Sequence, residues 1–435
     1  MSNGVPQKMR KLPVRFHGAL LFSGVNRHKG VIQKLGNSPN YPTLPIEFHH
    51  APLKRIVLKY MKGNLVPVRI RIRSMARFLA IDVGASTLDA LFLDSQSGDQ
   101  FKFVAKSPTR VLAERIMASQ SNRILIAGHQ MGGGPVTEAI RAKARQSRVM
   151  MTRSAAETIH HRKERIKNLG VVLISAKAAK QEAKKRNTSW FKAGDIVVED
   201  IVTMLKSMGV DPRVDFFGIC VQDHGTPKER ISSLDFRHRI FKGIIDKDPR
   251  PSAFLFEADR IPSSLRRMRA AAKDAEGIPS GKIYLMDTGM AAILGASSDP
   301  SARGKRSIMV LDIASSHTLG AILLDGEIGG FFEYHTSAIT PEILGALIVD
   351  LAEGRLSHER IVAEGGHGAY TRKAPGFDGV EIILATGPKR RILKGVGVEG
   401  IVPGAPFGDN MMTGTAGLIL AMAEREGVPL EGDQS

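Results

Sequence analysis

Two short turns, rich in glycine and hydroxyl residues, each follow an apolar stretch that ends in aspartate. The first comprises Asp82, Gly84, Ala85, Ser86 and Thr87 in the segment IDVGAST. Glycine lets backbone amides approach phosphoryl oxygens, the two hydroxyls add hydrogen-bond donors, and the aspartate can hold Mg²⁺ directly or through water. The pattern predicts a phosphate-binding turn with a metal ligand at Asp82.

A second copy of this turn lies about 230 residues further along the chain, in the segment LDIASSHT. It supplies Asp312, Ser315 and Ser316. Two such turns facing each other across a cleft could hold the same phosphates from both sides and stabilise their charge. We therefore expect Asp312 to be a second metal ligand.

Other polar residues occur where they could contact a substrate. Gly132, Gly133 and Gly134 precede a predicted helix and could expose free amides to an anion, with His129 just before them. Asp223 and His224 follow an apolar strand, where side chains reach a cleft. Each group also has a purely structural interpretation. The glycines can form a connecting loop, and His224 can hydrogen-bond to the local backbone.

The elements around the first turn are strands predicted at 77–83, 88–93 and 101–105, a helix at 111–120, a strand at 123–127 and a helix at 136–145. This βββαβα order fits a mixed sheet with helices on both faces. Strands at 307–313, 318–324 and 329–334 and a helix at 341–353 repeat the pattern. The repetition predicts an internal duplication.

The paired aspartate turns, each leading a three-stranded meander, resemble the phosphate-1 and phosphate-2 motifs of the actin, Hsp70 and sugar-kinase superfamily. The segment VEIILATGPKRRIL resembles its adenosine motif and implies that Thr386 and Gly387 contact nucleotide. Ala314 and Pro388 stand where the family has glycine, which predicts altered contacts there. The resemblance implies an α/β, duplicated RNase-H-like, actin-like ATPase fold with two lobes and a central cleft, together with ATP and Mg²⁺ as cofactors.

Asp287, in the segment IYLMDTGMAAILGA, resembles the aspartate of hexokinase-like members. The resemblance implies that it is a general base toward a substrate hydroxyl. An aspartate before an alanine-rich helix is also a common helix cap. Both interpretations stay open at this stage.

The runs IAGHQMGGGP, SAAETIHH and MDTGMAAILGA are similar to a bacterial and archaeal family labelled pyruvate formate-lyase activating or related. A radical-SAM activase needs three clustered cysteines, whereas this chain has one, Cys220. The sequence therefore argues against a radical-SAM activase. His160, His161 and His367 lack the i, i+4 spacing of a helical metal pair, which disfavours a metal-dependent carbamoyltransferase-like member.

A net charge of +19 is compatible with nucleic-acid binding, but the positive charge is concentrated in two regions of the chain. Residues 1–74 hold fourteen Lys and Arg residues against one acidic residue, and residues 141–192 hold fifteen against three. These regions indicate a basic, poorly ordered extension and a basic insert, so nucleic-acid binding is not expected. The absence of an apolar run of about 20 residues argues against a membrane span, and the single cysteine fits a cytoplasmic setting.

The sequence thus predicts an extension at 1–74, a first actin-like lobe with an insert at 75–305, and a second lobe at 306–435. The leading functional hypothesis is ATP-dependent phosphoryl transfer to a small hydroxylated metabolite. The alternatives are a switch ATPase that acts on a partner protein or enzyme, and a scaffold that binds no nucleotide.

Overall fold

The computed structural model describes residues 75–227 and 231–430 in full and, within the first 74 residues, only the backbone of five short strands. The chain divides into two compact units, Met1–Ser74 and Met75–Ser435. Among the described residues, no helix is both long and apolar enough to cross a bilayer.

The strands of the first unit are β1 (Leu21–Asn26), β2 (Lys29–Gln33), β3 (Ile46–Glu47), β4 (Ile56–Met61) and β5 (Asn64–Arg69). The first three form an antiparallel sheet in the order β1-β2-β3, and β4 pairs with β5. The rest of this unit lies outside the described residues. The expectation of a poorly ordered extension at 1–74 therefore stays a prediction.

The strands of the second unit are β6 (Arg77–Val83), β7 (Thr87–Asp94), β8 (Gln100–Lys106), β9 (Arg123–Gly128), β10 (Arg148–Thr152), β11 (Val172–Ile174), β12 (Thr188–Ala193), β13 (Val214–Cys220), β14 (Leu255–Glu257), β15 (Ser280–Met286), β16 (Ser307–Ile313), β17 (His317–Leu324), β18 (Glu327–His335), β19 (Gly368–Thr371), β20 (Ile382–Thr386) and β21 (Ile401–Pro403). Its α-helices are α1 (Pro108–Ala118), α2 (Gly134–Ala144), α3 (Arg153–Ala156), α4 (Lys163–Lys167), α5 (Ala176–Glu182), α6 (Val198–Ser207), α7 (Ser233–Ile245), α8 (Arg266–Asp274), α9 (Thr288–Ser297), α10 (Pro341–Ala352), α11 (His358–Ala363) and α12 (Thr413–Glu426).

The first large sheet has the strand order β14-β15-β13-β6-β7-β8. Strands β6, β7 and β8 form an antiparallel meander, while β13 pairs in parallel with β6, and β15 pairs in parallel with β13. Strand β6 is buried on both faces, which explains its nearly continuous apolar sequence. Its last residues deliver Asp82 and the following turn to the carboxyl edge of the sheet.

The second large sheet repeats this plan in the order β19-β18-β17-β16-β20-β21. Strands β16, β17 and β18 form the meander, and β20 and β21 extend it in parallel. Apart from the outer strands β14 and β19, the two sheets share one strand order. This order confirms the predicted duplicated, RNase-H-like α/β fold. The division into lobes at residues 305 and 306 stays a prediction.

A third sheet corrects one prediction about the first half. Strand β9 was expected to join the mixed sheet of the first turn, because an apolar strand there fitted the βββαβα order. It instead belongs to a separate, wholly parallel sheet in the order β11-β10-β9-β12. An apolar strand pattern shows that a strand is buried but does not identify its partner. The basic stretch 141–192 lies in this inserted sheet and its helices.

Helices α9 and α12 pack closely against each other between the two large sheets. A Cβ atom on Gly295 of α9 would lie 1.9 Å from the carbonyl oxygen of Thr413, and one on Gly417 of α12 would lie 1.9 Å from that of Ala291. Helix α12 also lies on β6 and β13, and α9 lies on β16. Each helix therefore packs on the sheet of the opposite half, and one apolar core spans both halves.

Candidate functional site

The two predicted phosphate turns have the same backbone geometry. In the first, the amide of Gly84 donates a hydrogen bond to the carbonyl of Thr87 at 3.0 Å, and in the second the amide of Ala314 donates to the carbonyl of His317 at 3.1 Å. Gly84 does not have a positive φ. Alanine can therefore take the corresponding place in the second turn without backbone strain.

Each turn is also supported from the end of the third meander strand. The hydroxyl of Ser107 donates to the carbonyl of Gly84 at 2.7 Å, and the hydroxyl of Thr336 donates to that of Ala314 at 2.8 Å. The backbone amides of Ser107 and Thr336 donate to the third residue of their turns, at 3.1 and 2.9 Å. The internal duplication thus extends from strand order to individual hydrogen bonds.

The predicted metal ligands lie at the base of these turns. Oδ1 of Asp82 accepts a hydrogen bond from the hydroxyl of Thr288 at 3.1 Å, and Oδ1 of Asp312 accepts one from the hydroxyl of Thr386 at 3.0 Å. Thr386 is fully buried. A threonine in each half therefore orients the aspartate carboxylate.

Several carboxylates repel one another in this region. Burial, with a contribution from Asp89, raises the pKa of Asp82 well above its usual range, and Asp312 raises it further. Burial raises the pKa of Asp89 to about 7, although the hydroxyl of Thr87 partly offsets this. Burial also raises the pKa of Asp312 to about 6. Close carboxylates with raised pKa values are a favourable environment for a divalent cation.

The other predicted nucleotide residues lie around these carboxylates. Ala85 is exposed, whereas Ser86, Ser315 and Ser316 are half-buried and accessible in their turns. Gly387 follows β20 with a φ of +87°, and a Cβ atom there would lie 2.4 Å from the carbonyl oxygen of Ile313. This close approach requires glycine.

Asp287 occupies a well-defined structural position. It caps α9 by accepting from the amides of Gly289 and Met290, and its side chain is almost fully buried. Its Oδ2 also lies 2.9 Å from the Nη1 of Arg237, a buried cation that contacts the carboxylate of Glu333 at 3.2 Å. Burial raises the pKa of Asp287, and Arg237 partly offsets this rise.

Glu333 is the other acidic partner of Arg237. Its carboxylate accepts a hydrogen bond from the side chain of Gln222 and lies 3.6 Å from Nδ1 of His367. Burial alone would raise the pKa of Glu333, but Arg237 and the neighbouring imidazoles outweigh it and lower this pKa below its usual value. Arg237, on a helix that the sequence pattern did not reveal, and Glu333 are site residues that sequence reasoning missed.

Two of the predicted substrate residues near the inserted sheet, His129 and Gly132, contact buried carboxylates. Nδ1 of His129 lies 2.6 Å from the carboxylate of Asp274. The amide of Gly132 donates to Asp195 at 3.0 Å, and the same carboxylate is paired with Arg267. Gly133 and Gly134 form the start of α2.

Asp223 and His224, the predicted substrate residues that follow β13, lie in two different environments. The carboxylate of Asp223 accepts hydrogen bonds from the amides of Gly225 and Met268, at 2.8 and 3.0 Å. His224 instead points toward imidazoles of the second half, with its ring centroid 5.7 Å from that of His367. Burial lowers the pKa of His224 to about 3.

Three further histidines form a cluster in the second half. His317, His335 and His367 each place one ring nitrogen within 4.8 Å of the others. Sequence reasoning tested only helical spacing for His367, whereas this cluster comes from neighbouring strands. Because His317 lies directly opposite His335 on β17 and β18, extending both predicted strands by one residue would have revealed the pair.

The repeated strand order and paired turns define a two-lobed α/β protein with the duplicated, RNase-H-like fold of actin-like proteins. More particularly, the chain belongs to the family described as "Putative pyruvate format-lyase activating enzyme (DUF1786)", whose model matches residues 131–392. No curated protein matches the chain in sequence.

Solved structures with distant similarity include sugar kinases. A ROK family glucokinase from Streptomyces griseus, in complex with glucose and AMPPNP, is 11% identical, with 81% of this chain and 100% of that chain covered and a TM-score of 0.31. ROK hexokinase from Thermus thermophilus is 13% identical, with 79% and 98% covered and a TM-score of 0.28. The ethanolamine utilization protein EutJ from Carboxydothermus hydrogenoformans is 10% identical, with 79% and 88% covered and a TM-score of 0.26.

Proposed function

We propose that the chain binds Mg-ATP between its two phosphate turns and transfers a phosphoryl group to a small hydroxylated metabolite. The observation that carries this proposal is the pairing of Asp82 and Asp312 at the bases of two turns with matching hydrogen bonds. Burial raises both pKa values, and at Asp82 repulsion by Asp89 and Asp312 raises the pKa further, so a divalent cation would relieve that repulsion.

The residues present fit such a cation. Besides the two aspartates, Oδ1 of Asp89 is buried and has no hydrogen-bond partner in the part of the chain that the structure describes. Oxygen ligands of this kind suit Mg²⁺, which would neutralise phosphate charge during transfer. Gly84 and Ala314 would shape the two turns, amides and hydroxyls of residues 85–87, 315 and 316 would hold the phosphates, and Thr386 and Gly387 would lie toward the nucleoside.

The acceptor side of the site is proposed from the residues beyond the turns. Asp287 would receive the proton of the acceptor hydroxyl, which requires its carboxylate to exchange the contact with Arg237 for one with substrate. His129, Gly132, Gly133, Gly134, Asp223 and His224 are the proposed substrate contacts. We place this activity in the cytoplasm, without a role for nucleic acid, in agreement with one buried cysteine and a locally confined basic charge.

Titration calorimetry with Mg-ATP and Mg-ADP tests the nucleotide site. We expect Asp82→Asn to weaken binding by more than about tenfold, because a charged ligand to the cation is lost. Asp99→Asn, at an exposed aspartate in the turn after β7, is the matched control and should bind as the wild type does. If neither nucleotide binds the wild-type protein, the remaining alternative is a scaffold that binds no nucleotide.

One observation favours a second candidate function, a switch ATPase that acts on a partner protein. Asp287 is already engaged by a helix cap and by Arg237, so it has little freedom to act as a base. A kinase should consume ATP only when its acceptor is present. A switch ATPase should hydrolyse ATP slowly without an acceptor and respond to its partner.

A further inference from the structure

The histidine cluster lies on three neighbouring strands of the second sheet or next to them. His317 begins β17 and His335 ends β18, directly opposite each other in the antiparallel ladder. His367 immediately precedes β19, and its amide donates a hydrogen bond to the carbonyl of Glu333 at 2.7 Å. The sheet itself thus brings the three imidazoles together.

The three rings lie closer to one another than to any other imidazole in the described residues of this region. Their centroids are 4.7 Å apart for His317 and His335, 4.6 Å for His317 and His367, and 4.2 Å for His335 and His367. His224 is more distant, at 6.4 Å from His317 and 5.7 Å from His367. The cluster therefore consists of His317, His335 and His367, and His224 is a more distant neighbour.

Hydrogen bonds within the chain leave this cluster incompletely satisfied. Nε2 of His367 and Nε2 of His335 are 2.8 Å apart, so one proton can serve both nitrogens. Nε2 of His317 is buried and has no hydrogen-bond partner in the described part of the chain. This nitrogen is therefore free to bind a ligand from outside the described part of the chain.

We propose that His317, His335 and His367 form a binding site for a divalent transition-metal ion of the zinc class. Nitrogen ligands about 2.0–2.1 Å from one zinc ion lie about 3.3 Å apart. One nitrogen from each histidine lies within 4.8 Å of the other two, so small side-chain movements would bring them to that spacing. Neutral imidazole is a preferred ligand of zinc and its neighbours in the first transition series.

The surroundings have two further features of such a site. Glu333 lies 3.6 Å from Nδ1 of His367, on the side of the ring away from His335, where a carboxylate can orient a ligating imidazole. His335 is exposed, so a metal ion, and a water molecule as its fourth ligand, could reach this residue from solvent. Three protein ligands with one open position are typical of zinc sites that bind a further oxygen ligand.

The proposal is tested by metal content of the full-length chain after tag removal, treatment with a chelator and reloading with zinc. We expect about one tightly held zinc ion per chain in the wild type. His335→Asn should weaken zinc binding by more than about 100-fold, because changes to outer-shell residues alone cost about 10–100-fold. His160→Ala with His161→Ala, a histidine pair with ring centroids 4.3 Å apart outside the cluster, is the matched control and should retain the zinc.

A conservative variant separates metal binding from a structural role. His335→Cys keeps a zinc ligand, so it should retain metal and add a sulfur ligand signature to the absorption spectrum of the cobalt-loaded protein. His317→Ala provides an independent loss variant, with circular dichroism to confirm folding. A wild-type protein that holds less than about 0.1 zinc per chain, or a His335→Asn variant that binds zinc as tightly as the wild type does, overturns the proposal.

Discussion

The hydroxyl of Thr288 donates a hydrogen bond to Asp82, with 3.1 Å between Oγ1 and Oδ1. Thr288 directly follows Asp287, the residue that caps α9 and pairs with Arg237. The start of α9 therefore connects the turn after β6 with the buried ion pairs of Arg237. A movement of α9 would be transmitted to both.

The raised pKa of Asp89 predicts how pH affects unfolding of the protein without ligands. Its pKa is raised to about 7 in the folded state from a usual value of 3.8, so between these values the folded state holds the extra proton. The free energy of unfolding should therefore fall as pH rises through about 7. Asp89→Asn removes this charge, so its stability relative to wild type should increase by up to about 1.4 kcal/mol for each pH unit between about 4 and 7 and stay constant above that range.

The comparison with Asp89→Asn is needed because two histidines with lowered pKa values, His224 and His317, change the unfolding free energy with pH in the opposite direction. Burial lowers the pKa of His317 to about 4 and that of His224 to about 3, so these groups remove stability as pH falls below about 6.5. Urea unfolding of wild type and variant at about pH 5.5 and 8 separates the two effects. An equal difference at both pH values would contradict the assignment for Asp89.

Two glycines of the predicted nucleotide site, Gly84 after β6 and Gly387 after β20, should respond in opposite ways to an added methyl group. Gly84→Ala should fold and bind nucleotide nearly normally, because Gly84 does not have a positive φ and Ala314 already occupies the matching place. Its Cβ atom would lie 3.2 Å from the carbonyl oxygen of Thr87, which requires a shift of only a few tenths of an ångström. Gly387→Ala should lower the unfolding free energy by about 1–3 kcal/mol, because its φ is +87° and its Cβ atom would approach Ile313 within 2.4 Å. Thermal melting and calorimetry of both variants check this contrast.

Substitution in the contact of α9 and α12 should be severe. Gly295→Ala or Gly417→Ala places a Cβ atom 1.9 Å from a backbone carbonyl oxygen, so the helices must separate, and we expect a loss of about 3 kcal/mol or more. Gly243→Ala, in α7, is the control because a Cβ atom there has no atom within 4 Å. It should be neutral or stabilising by up to about 1 kcal/mol. Equal denaturation midpoints for all three variants would refute the predicted close contact.

Removal of Arg237 should expose the energetic role of the buried ion pairs. Arg237→Met leaves the carboxylates of Asp287 and Glu333 buried without their cation, which should cost about 3–5 kcal/mol in unfolding free energy. Adding Glu333→Gln should recover part of that loss. Denaturant unfolding of the single and double variants measures the energetic coupling between Arg237 and Glu333. If the double variant were no more stable than Arg237→Met, this coupling would be contradicted.

Sequence reasoning found the fold because two local patterns were repeated. Strands β6 and β16 are apolar along their length, and each ends in an aspartate turn, so the duplication could be read directly from the chain. The strand order of both sheets confirmed it. The sheet to which β9 belongs could not be predicted in this way, because the sequence of a parallel strand does not indicate which strands lie beside it.

The site was predicted less completely than the fold, for a physical reason. The aspartate turns are local, and their residues lie next to one another in sequence. Arg237 and Glu333 are 96 positions apart, and their contact depends on how α7 lies against β18. The histidine cluster depends on strand register, which a spacing rule for helices cannot detect.

Helices α9 and α12 bind the two halves into a single folding unit. A fragment ending at residue 305 would lack α12, and the glycine at position 218 on β13 would then face solvent instead of Leu418 and Met422. The complementary fragment would lack α9 and leave part of β16 uncovered. The repeat is therefore not a pair of interchangeable modules, and split fragments of this unit should acquire native structure only by reassociating with each other.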